Sequence, residues 1–448
     1  MSFRLSDQGT RERTEKSVAS IPSLRPAIRP HLLTILTLFL LTFSTTFAQQ
    51  DDPYLTEQFP FVQYDQNKIL YPGSPNALDK LFEKVDATAF EGKGQIQVVH
   101  IGGSHIQADM WSDRMRQRLQ TFYPGSRGAR GLIFPYKMAR TNNPYNYIAE
   151  YTGTWDGCRN VQRKRACTLG LTGMSVTTQD TFATIRIKFR EDYPQYEFNR
   201  VRIFHAQDSS SYDIRVANPG INARLVVDPF LGYTEFQLDQ YATVLDLEVR
   251  KTHPSQRRFA LYGISLDNDD PGFVYNAIGV NGAATPSYLR CRLFGKHMKA
   301  IKPDLVVFSI GINDAHVPSG DFNSARYERN YDTLVSWVRA ANPDCAILFT
   351  TNNDSYYKKR YPNRNAEKVR KVMKKLAQKH DAVVWDMYGV MGGLGSVRTW
   401  IKAGLANPDR IHMLKPGYVL LADLMFNALM REYDRHLQAV YRNESQHR

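Results

Sequence analysis

The chain has 448 residues, of which 42% are hydrophobic and 12% aromatic, and its formal net charge is +14 at pH 7. This length and composition describe a globular chain that can bury a sizeable core and form more than one domain. A basic surface could attract nucleic acid, anionic glycans or a membrane face, and the alternative is an ordinary solvated basic surface. The sequence contains no nucleic-acid-binding motif, so we expect no nucleic-acid partner.

Residues 1–48 are typical of a secretory signal peptide. Arg25 and Arg29 precede an apolar run at 32–41, and residues 46–48 offer a small-x-small cleavage site. The alternative is an N-terminal membrane anchor, but the run is short for a span of about 20 residues. We therefore expect an exported protein, periplasmic or secreted, that has no stable membrane insertion once the signal peptide is cleaved.

The next part of the chain changes from a polar segment to a strand and a helix. Residues 49–94 form a polar lead-in, with a helix predicted at 77–85. The buried-strand run 96–101 then ends at Gly102-Gly103, and a helix is predicted at 108–122. Ser104 thus lies at a tight turn between a strand and a helix.

Between residues 151 and 269 the apolar residues recur with a period of two, which is typical of antiparallel strands. We interpret this segment as an inserted antiparallel β-sandwich. Cys158 and Cys167 lie nine positions apart within it and could close a small loop, because export permits a disulfide. The predicted strands lie at about 184–190, 201–204, 212–216, 224–227, 234–238, 245–250 and 258–266.

After residue 270 strands and helices alternate again. Apolar strands are predicted at 305–310, 346–350 and 382–385, and helices at 324–341, around 369–377 and at 416–433. This alternation predicts an α/β domain with a three-layer, doubly wound parallel sheet. The domain is discontinuous, with residues 95–150 and 270–440 on either side of the insert. Cys291 and Cys345 lie in apolar contexts and are interpreted as buried thiols.

Five residues in four short motifs could together cleave an ester. Ser104 follows a strand where α/β enzymes keep their sites, and its alternative role is to cap a helix. Asp409 and His412 lie three apart before the last helix, so one loop could deliver a base and its orienting carboxylate, and the alternative is a capped surface turn. Gly282 and the side chain of Asn313 could donate hydrogen bonds to an oxyanion, although each is also an ordinary turn residue.

In combination these motifs resemble the four blocks of the SGNH, or GDSL-like, hydrolase superfamily. The first block is similar to Gly-Gly-Ser104-His and the second to Gly-Val-Asn-Gly282. The third is similar to Gly-Ile-Asn313-Asp, and the last to Asp409-Arg-Ile-His412. The resemblance implies that Ser104 is the nucleophile, that His412 is the base and that Asp409 orients His412. It also implies an oxyanion hole formed by Ser104, Gly282 and Asn313, and no metal or organic cofactor.

The first block departs from the family pattern, because Gly103 occupies the place of the usual Asp before the Ser. This puts the hydrogen bonding around the nucleophile loop in doubt, and Gln107 and Asp109 are candidates to compensate. His316 could line the cleft or lie in a surface loop. The Gly-rich run 125–131 is interpreted as a flexible loop whose arginines could face the substrate.

The layout of an inserted β-domain between the first two blocks is similar to that of bacterial peptidoglycan O-acetylesterases. The resemblance implies that the β-sandwich at 151–269 is similar to a carbohydrate-binding domain. The resemblance implies a serine esterase that removes small acyl groups, acetyl above all, from a cell-wall or extracellular carbohydrate. Two alternatives remain open: an O-acyltransferase that uses the same triad, and a glycan-binding protein that retains the fold without catalysis. The sequence does not give the sugar, the acyl group or the oligomeric state.

Overall fold

The computed structural model of the protein describes residues 58–446. The predicted signal peptide at 1–48 lies outside the described residues, as does the beginning of the lead-in. Among the described residues, no helix combines the length and the apolar character that a membrane span requires.

The strands are named β1 to β19 and the helices α1 to α11, in chain order. The strands are Ile69–Leu70, Gln95–Gly102, Gly131–Ile133, Tyr147–Tyr151, Asp156–Arg159, Met174–Thr178, Phe182–Phe189, Phe198–His205, Asp213–Val216, Ala223–Asp228, Tyr233–Ala242, Val244–Arg250, Phe259–Asp267, Gly272–Gly279, Leu305–Ser309, Ala346–Thr350, Tyr356–Tyr357, Tyr361–Pro362 and Val383–Trp385. The helices are Asp79–Glu91, Ser104–Gln107, Met110–Gln120, Thr285–Leu289, Phe294–Ile301, Ile312–Ala315, Ser324–Ala341, Asn365–Lys379, Met387–Met391, Val397–Lys402 and Lys415–Gln446. Short 3-10 turns lie at Tyr64–Gln66 and Tyr136–Ala139.

A largely parallel sheet carries the four motifs. Its strand order is β1-β19-β16-β15-β2-β14, in which β1 is antiparallel and the other neighbours are parallel. The five parallel strands β2, β14, β15, β16 and β19 therefore follow the order 2-1-3-4-5 of a doubly wound sheet. The chain order reverses between β2 and β15, and the crevice at such a switch point is where α/β proteins bind ligands.

The helices pack in two groups against this sheet. Helix α11 contacts α1 and α3, and α3 also contacts β14. In the second group α7 contacts α4, α5 and α8, and α8 contacts β16 and β19. Two separate groups of helices in contact with one sheet favour the predicted three-layer arrangement.

Two further antiparallel sheets lie between β2 and β14 in the chain. One has the order β10-β11-β8-β13-β6-β5, with β3 also pairing with β13, and the other has the order β4-β7-β12-β9. Along β7 and β12 buried residues alternate with more exposed ones, whereas all nine residues of β13 are buried. The predicted mixed fold, a parallel-containing sheet with separate antiparallel sheets, is confirmed. Strands β3 and β4 join these antiparallel sheets although both begin before residue 151.

One hydrophobic core connects all three sheets. It contains Ile101 and Val306 from the parallel sheet, Leu261 from the larger antiparallel sheet, and Ile185 and Leu247 from the smaller one. The antiparallel sheets therefore pack continuously with the parallel sheet.

The states of the four cysteines agree with the interpretation of the sequence. Cys158 and Cys167 are joined by a disulfide, and Cys291 and Cys345 are buried free thiols.

Three predicted helices differ from the structure. The helix predicted at 77–85 extends over Asp79–Glu91, and the one predicted at 416–433 extends over Lys415–Gln446. The helix predicted at 108–122 is shorter, Met110–Gln120, and α2 precedes it, with Asp109 between the two in the left-handed conformation at φ 55°. Asp109 tolerates this conformation because its short polar side chain can form compensating bonds.

Candidate active site

Three strands of the parallel sheet end at the same height, and this brings their loops together. Gly102 at the end of β2 lies opposite Gly279 on β14 and opposite Ser309 on β15. Ser104, Gly282 and Asn313 each follow one of these ends within a few residues. The switch point of the sheet therefore collects the first three motifs.

Close contacts around the nucleophile loop require glycine at two positions. A Cβ atom on Gly102 would overlap the side chain of Ile106, and one on Gly279 would overlap the backbone of Gln107. The two glycines thus allow α2 to turn back tightly over the ends of β2 and β14. Ser104 begins this helix.

Ser104, His412 and Asp409 form a continuous row of hydrogen bonds. The Oγ atom of Ser104 lies 2.7 Å from Nε2 of His412, and Nδ1 of His412 lies 2.7 Å from Oδ2 of Asp409. His412 and Asp409 are partly exposed, at 37% and 27% of their side-chain surface. The imidazole can thus accept the serine proton while it faces the solvent-filled cleft.

The loop that carries Asp409 and His412 is held by its own backbone. Oδ1 of Asp409 accepts hydrogen bonds from the backbone N–H groups of Ile411 and His412, both at 2.9 Å. Burial by itself raises the pKa of a carboxyl group, but the bonds from His412 and Ile411 outweigh it. The pKa of Asp409 therefore lies below its ordinary value, so the group is a carboxylate at neutral pH.

The second motif forms a turn beside the serine. Gly282 has a φ of 79°, a left-handed conformation that glycine adopts without strain. The preceding Asn281 donates its backbone N–H to Oε1 of Gln107 at 2.7 Å, and the Gln107 amide donates to Thr141 and to the Asn142 carbonyl. Gln107 therefore fixes the loop that carries Gly282.

Asn313 lies next to Gly103, the position at which the sequence departs from the family pattern. A Cβ atom on Gly103 would lie 3.2 Å from Nδ2 of Asn313. The same Nδ2 donates to the carbonyl oxygen of Ala283 at 2.9 Å. Part of the space beside Gly103 is thus taken by the Asn313 amide, which connects the second and third motifs.

These residues line one open cleft of about 700 Å³. Ser104, Gly282, Asn313 and His412 all contribute to its wall, and His316 does so as well. The structure therefore brings all five predicted site residues together: four line the cleft, and Asp409 lies behind His412. A cleft of this volume can hold a small ester together with part of the molecule that carries it.

His105 contributes to this site in a way that the sequence interpretation missed. Its ring centroid lies 5.2 Å from that of His412, and its Nδ1 atom lies 2.6 Å from the hydroxyl group of Tyr418, which lines the cleft. Burial, assisted by the neighbouring His412 and partly opposed by Asp409, lowers the pKa of His105 to about 3. A neutral His105 can pack against His412 without repelling the imidazolium that forms during catalysis.

Residues 125–130 of the Gly-rich run form a loop, as predicted, but Arg130 does not face the cleft. Arg130 is only 2% exposed, and its guanidinium group lies 2.8 Å from the carboxylate of Asp109. A Cβ atom on Gly128 would overlap the backbone of Phe273. Arg130 is therefore part of the support beneath the nucleophile loop, because Asp109 separates α2 from α3.

A second cavity of about 280 Å³ adjoins the cleft. Met110 and Lys415 line both spaces, and Tyr145 and Tyr193 line the second. The two tyrosine rings lie 5.5 Å apart, and the Lys415 ammonium lies 5.2 Å and 5.4 Å from their centroids. Because Tyr193 belongs to the loop between β7 and β8, the antiparallel region reaches the edge of the cleft.

Comparison with known proteins agrees with this geometry. Residues 250–420 match the GDSL-like lipase/acylhydrolase family, a range that includes Gly282, Asn313, Asp409 and His412. No curated protein matches the sequence. The predictions of an SGNH/GDSL-like hydrolase and of an ester-hydrolysing enzyme are confirmed.

Three solved structures are similar to this chain to different extents. A peptidoglycan O-acetylesterase superposes with a TM-score of 0.64 at 20% identity, covering 82% of this chain and 99% of that one. The match to an acetyl xylan esterase covers 35% of this chain and 81% of that one, at 19% identity and a TM-score of 0.28. The match to a lipase/acylhydrolase from Enterococcus faecalis covers 37% of this chain and 77% of that one, at 23% identity and a TM-score of 0.30. The first of these similarities extends over most of the chain.

Proposed function

We propose that the protein is an exported serine esterase that removes small acyl groups, acetyl above all, from a cell-wall or extracellular carbohydrate. The observation that carries the proposal is the row of hydrogen bonds from Ser104 through His412 to Asp409. A serine hydroxyl is too weakly acidic to attack an ester without such a base. The row lies in an open cleft at the switch point of the sheet, where a substrate can reach it.

The proposed reaction has two steps. Ser104 Oγ attacks the carbonyl carbon of the ester while Nε2 of His412 accepts the serine proton, and the Asp409 carboxylate stabilises the resulting imidazolium. His412 then returns the proton to the sugar oxygen, which leaves as a free hydroxyl group. In the second step His412 accepts a proton from water as the water attacks the acyl-serine, and it returns that proton to Ser104 Oγ as the carboxylic acid is released.

Three hydrogen-bond donors are proposed to stabilise the negative oxygen of the tetrahedral intermediates. They are the backbone N–H groups of Ser104 and Gly282 and the side-chain amide of Asn313. All three residues line the cleft. Losing one such donor costs about 2.7–4 kcal/mol of transition-state stabilisation in a comparable enzyme.

The shape of the site supports a carbohydrate as the acyl carrier. The cleft continues into the second cavity beside Tyr145 and Tyr193, whose rings offer apolar faces next to polar hydroxyl groups. This arrangement suits the mixed apolar and polar surface of a sugar. The known activity of the peptidoglycan O-acetylesterase with the same fold makes acetyl the first acyl group to test.

Export is part of the proposal. It rests on the predicted signal peptide at residues 1–48 and is supported by the disulfide between Cys158 and Cys167, since disulfides persist in oxidising compartments. N-terminal sequencing of the protein recovered outside the cytoplasm tests it. A protein that retains residues 1–48 and stays in the cytoplasm would contradict it.

Acetate release from O-acetylated peptidoglycan and from acetylated plant polysaccharides tests the reaction. We expect the wild type to release acetate and Ser104→Ala to release none. Ser336→Ala, an exposed serine on α7, is the matched control and should keep wild-type activity. If Ser104→Ala hydrolyses an aryl acetate as fast as the wild type, the proposed mechanism is wrong.

The two alternative functions give different results in the same assay. An O-acyltransferase would move the acetyl group to an added glycan acceptor instead of releasing acetate, so the products are analysed with and without an acceptor. A glycan-binding protein without catalysis would bind the glycan and release nothing from any ester. An esterase releases acetate whether or not the acceptor is present.

A further inference from the structure

A short, strongly basic hairpin stands beside the cleft. It comprises residues 356–364, in which β17 pairs with the antiparallel β18, and we call it the basic hairpin. Its sequence, Tyr-Tyr-Lys-Lys-Arg-Tyr-Pro-Asn-Arg, contains four cations and no acidic residue. The side chains of Lys358, Lys359, Arg360 and Arg364 are all exposed.

The basic hairpin is attached directly to the loop that carries His412. The backbone N–H of Tyr356 donates to the carbonyl oxygen of Arg410 at 3.0 Å, and the Arg410 guanidinium donates to the carbonyl oxygen of Lys359 at 2.8 Å. On its other side Tyr357 packs against His316 with ring centroids 5.1 Å apart. Because His316 lines the cleft, the hairpin forms the outer rim of the proposed active site.

Two cations of the hairpin lie over tyrosine rings. Lys358 lies over the ring of Tyr357 at 5.4 Å, and Arg360 lies over the ring of Tyr361 at 5.5 Å. Among the described residues none of the hairpin's cations forms an ion pair with a carboxylate. Tyrosine rings hold a cation through their quadrupole and leave its full charge available to a ligand.

Some cations of the neighbouring helix α8 are neutralised. Its exposed Lys375 and Lys379 pair with Glu328 and Asp332, both at 2.9 Å. Arg410 adds a fifth unpaired cation to the four of the hairpin, over the ring of Tyr356 at 5.0 Å. Five cations without a carboxylate partner among the described residues therefore lie together at the rim of the cleft, where their charge raises the local concentration of anions.

We propose that the basic hairpin, together with Arg410, binds carboxylate groups of an anionic glycan chain while an ester on the same chain occupies the cleft at Ser104. This rests on the proposed function, and it narrows the substrate from any acylated carbohydrate to one with regularly spaced negative charges. A glycan fits better than a lipid surface, because the hairpin borders the cleft that the ester group of the same chain must enter. The exposed ring of Tyr361, 55% accessible, can pack against a sugar of the same chain.

The test compares one glycan in two charge states. Soluble O-acetylated peptidoglycan fragments are used with their carboxylates free, and again with the carboxylates converted to neutral amides. The variant Lys358→Gln/Lys359→Gln/Arg360→Gln removes three cations of the hairpin. The control Lys93→Gln/Arg224→Gln/Lys299→Gln removes three exposed cations elsewhere, so it matches the change in net charge.

We expect the hairpin variant to raise KM for the carboxylate-bearing fragments about tenfold with little change in kcat. Its KM for the amidated fragments, and its rate on a neutral aryl acetate, should stay at the wild-type level. The control variant should change none of these constants by more than about twofold. Added salt should raise the wild-type KM for the carboxylate-bearing fragments only, because exposed charges are screened.

Two results would overturn the inference. One is an unchanged KM of the hairpin variant for the charged fragments, and the other is an equal rise for charged and amidated fragments. A variant that loses binding to anionic lipid vesicles but keeps its KM for the charged fragments would identify a membrane as the partner instead.

Failure of the proposed function is recognised separately. In that case the wild type releases nothing even from aryl acetate. The inference is then judged by the binding of deacetylated, carboxylate-bearing fragments to the wild type and to the hairpin variant.

Discussion

The carboxylate of Asp314 accepts hydrogen bonds from both the backbone N–H and the hydroxyl group of Thr285, at 3.0 Å and 2.7 Å. Asp314 directly follows Asn313, and Thr285 begins α4 three residues after Gly282. The Asn330 amide also donates to the Thr285 hydroxyl at 2.8 Å. The carboxylate therefore ties together the two loops that carry the proposed oxyanion donors.

The burial of Asp314 predicts a specific pH dependence of stability. Burial raises the pKa of Asp314 to about 6, although the bonds from Thr285 partly oppose the shift. Because this pKa lies above that of an unfolded Asp, about 3.9, the folded state binds more protons between about pH 4 and pH 6. The wild type should therefore lose stability relative to Asp314→Asn as the pH rises through this window. Urea unfolding of both proteins at pH 4, 5, 6 and 7 measures it, and a constant difference would show that the pKa is ordinary.

Removal of the Asp409 carboxylate should slow the chemical step far more than it weakens binding. In Asp409→Asn the His412 ring keeps its place in the row but loses the charge that stabilises its protonated form. We expect kcat on an aryl acetate to fall by about 10²–10⁴-fold with little change in KM. The Ser104→Ala variant should lose about 10⁴-fold or more. If Asp409→Asn keeps a kcat within threefold of the wild type, another carboxylate must orient the base.

The side chain of Asn313 should act mainly in the transition state. Its amide lies beside Gly103 and also holds the Ala283 carbonyl, so Asn313→Ala removes a proposed donor. We expect kcat to fall by about 10²–10³-fold while KM stays nearly constant. Asn281→Ala removes a neighbouring amide from the same cleft wall and should cost less than about tenfold. Equal losses in the two variants would indicate a general disturbance of the loop instead of a lost oxyanion donor.

The sequence predicted the elements of the parallel sheet because their apolar runs are long and continuous. Helix α7 begins at Ser324 and ends at Ala341 as predicted, and β16 keeps its predicted bounds, Ala346–Thr350. Each of these elements is bounded by a clear change in polarity. The four motifs were recognisable for a related reason, since each follows a strand and combines glycine with a residue type that the chemistry requires.

Contacts between distant segments could not be predicted in this way. The hydrogen bond between His105 and Tyr418 joins residues 313 positions apart, and the local sequence around either residue does not predict it. Arg130 lies in a Gly-rich run typical of a loop, yet it is buried against Asp109. Periodicity reports the environment along one element, whereas a buried ion pair depends on how separate elements pack.

The ion pairs of Asp109 provide the last prediction. Its carboxylate lies 2.8 Å from the Arg130 guanidinium and 3.2 Å from that of Arg116, and all three side chains are buried. Burial alone raises the pKa of Asp109, but the two guanidinium groups outweigh it and hold the pKa below its ordinary value. Asp109→Asn would leave two buried cations with less compensation, so we expect it to lower the free energy of unfolding at pH 7 by about 3–5 kcal/mol.

The matched control for Asp109→Asn is Asp269→Asn, which breaks the more exposed ion pair with Arg200 and should cost less than about 1 kcal/mol. Because the pKa of Asp109 is lowered on folding, its stabilising effect is present above the pKa of an unfolded Asp and is lost as the pH falls through its lower folded value. The difference between wild type and Asp109→Asn should therefore be largest near neutral pH and shrink in acid. A cost equal to that of Asp269→Asn at pH 7 would mean that the arginines find other partners and that Asp109 does not support the nucleophile loop.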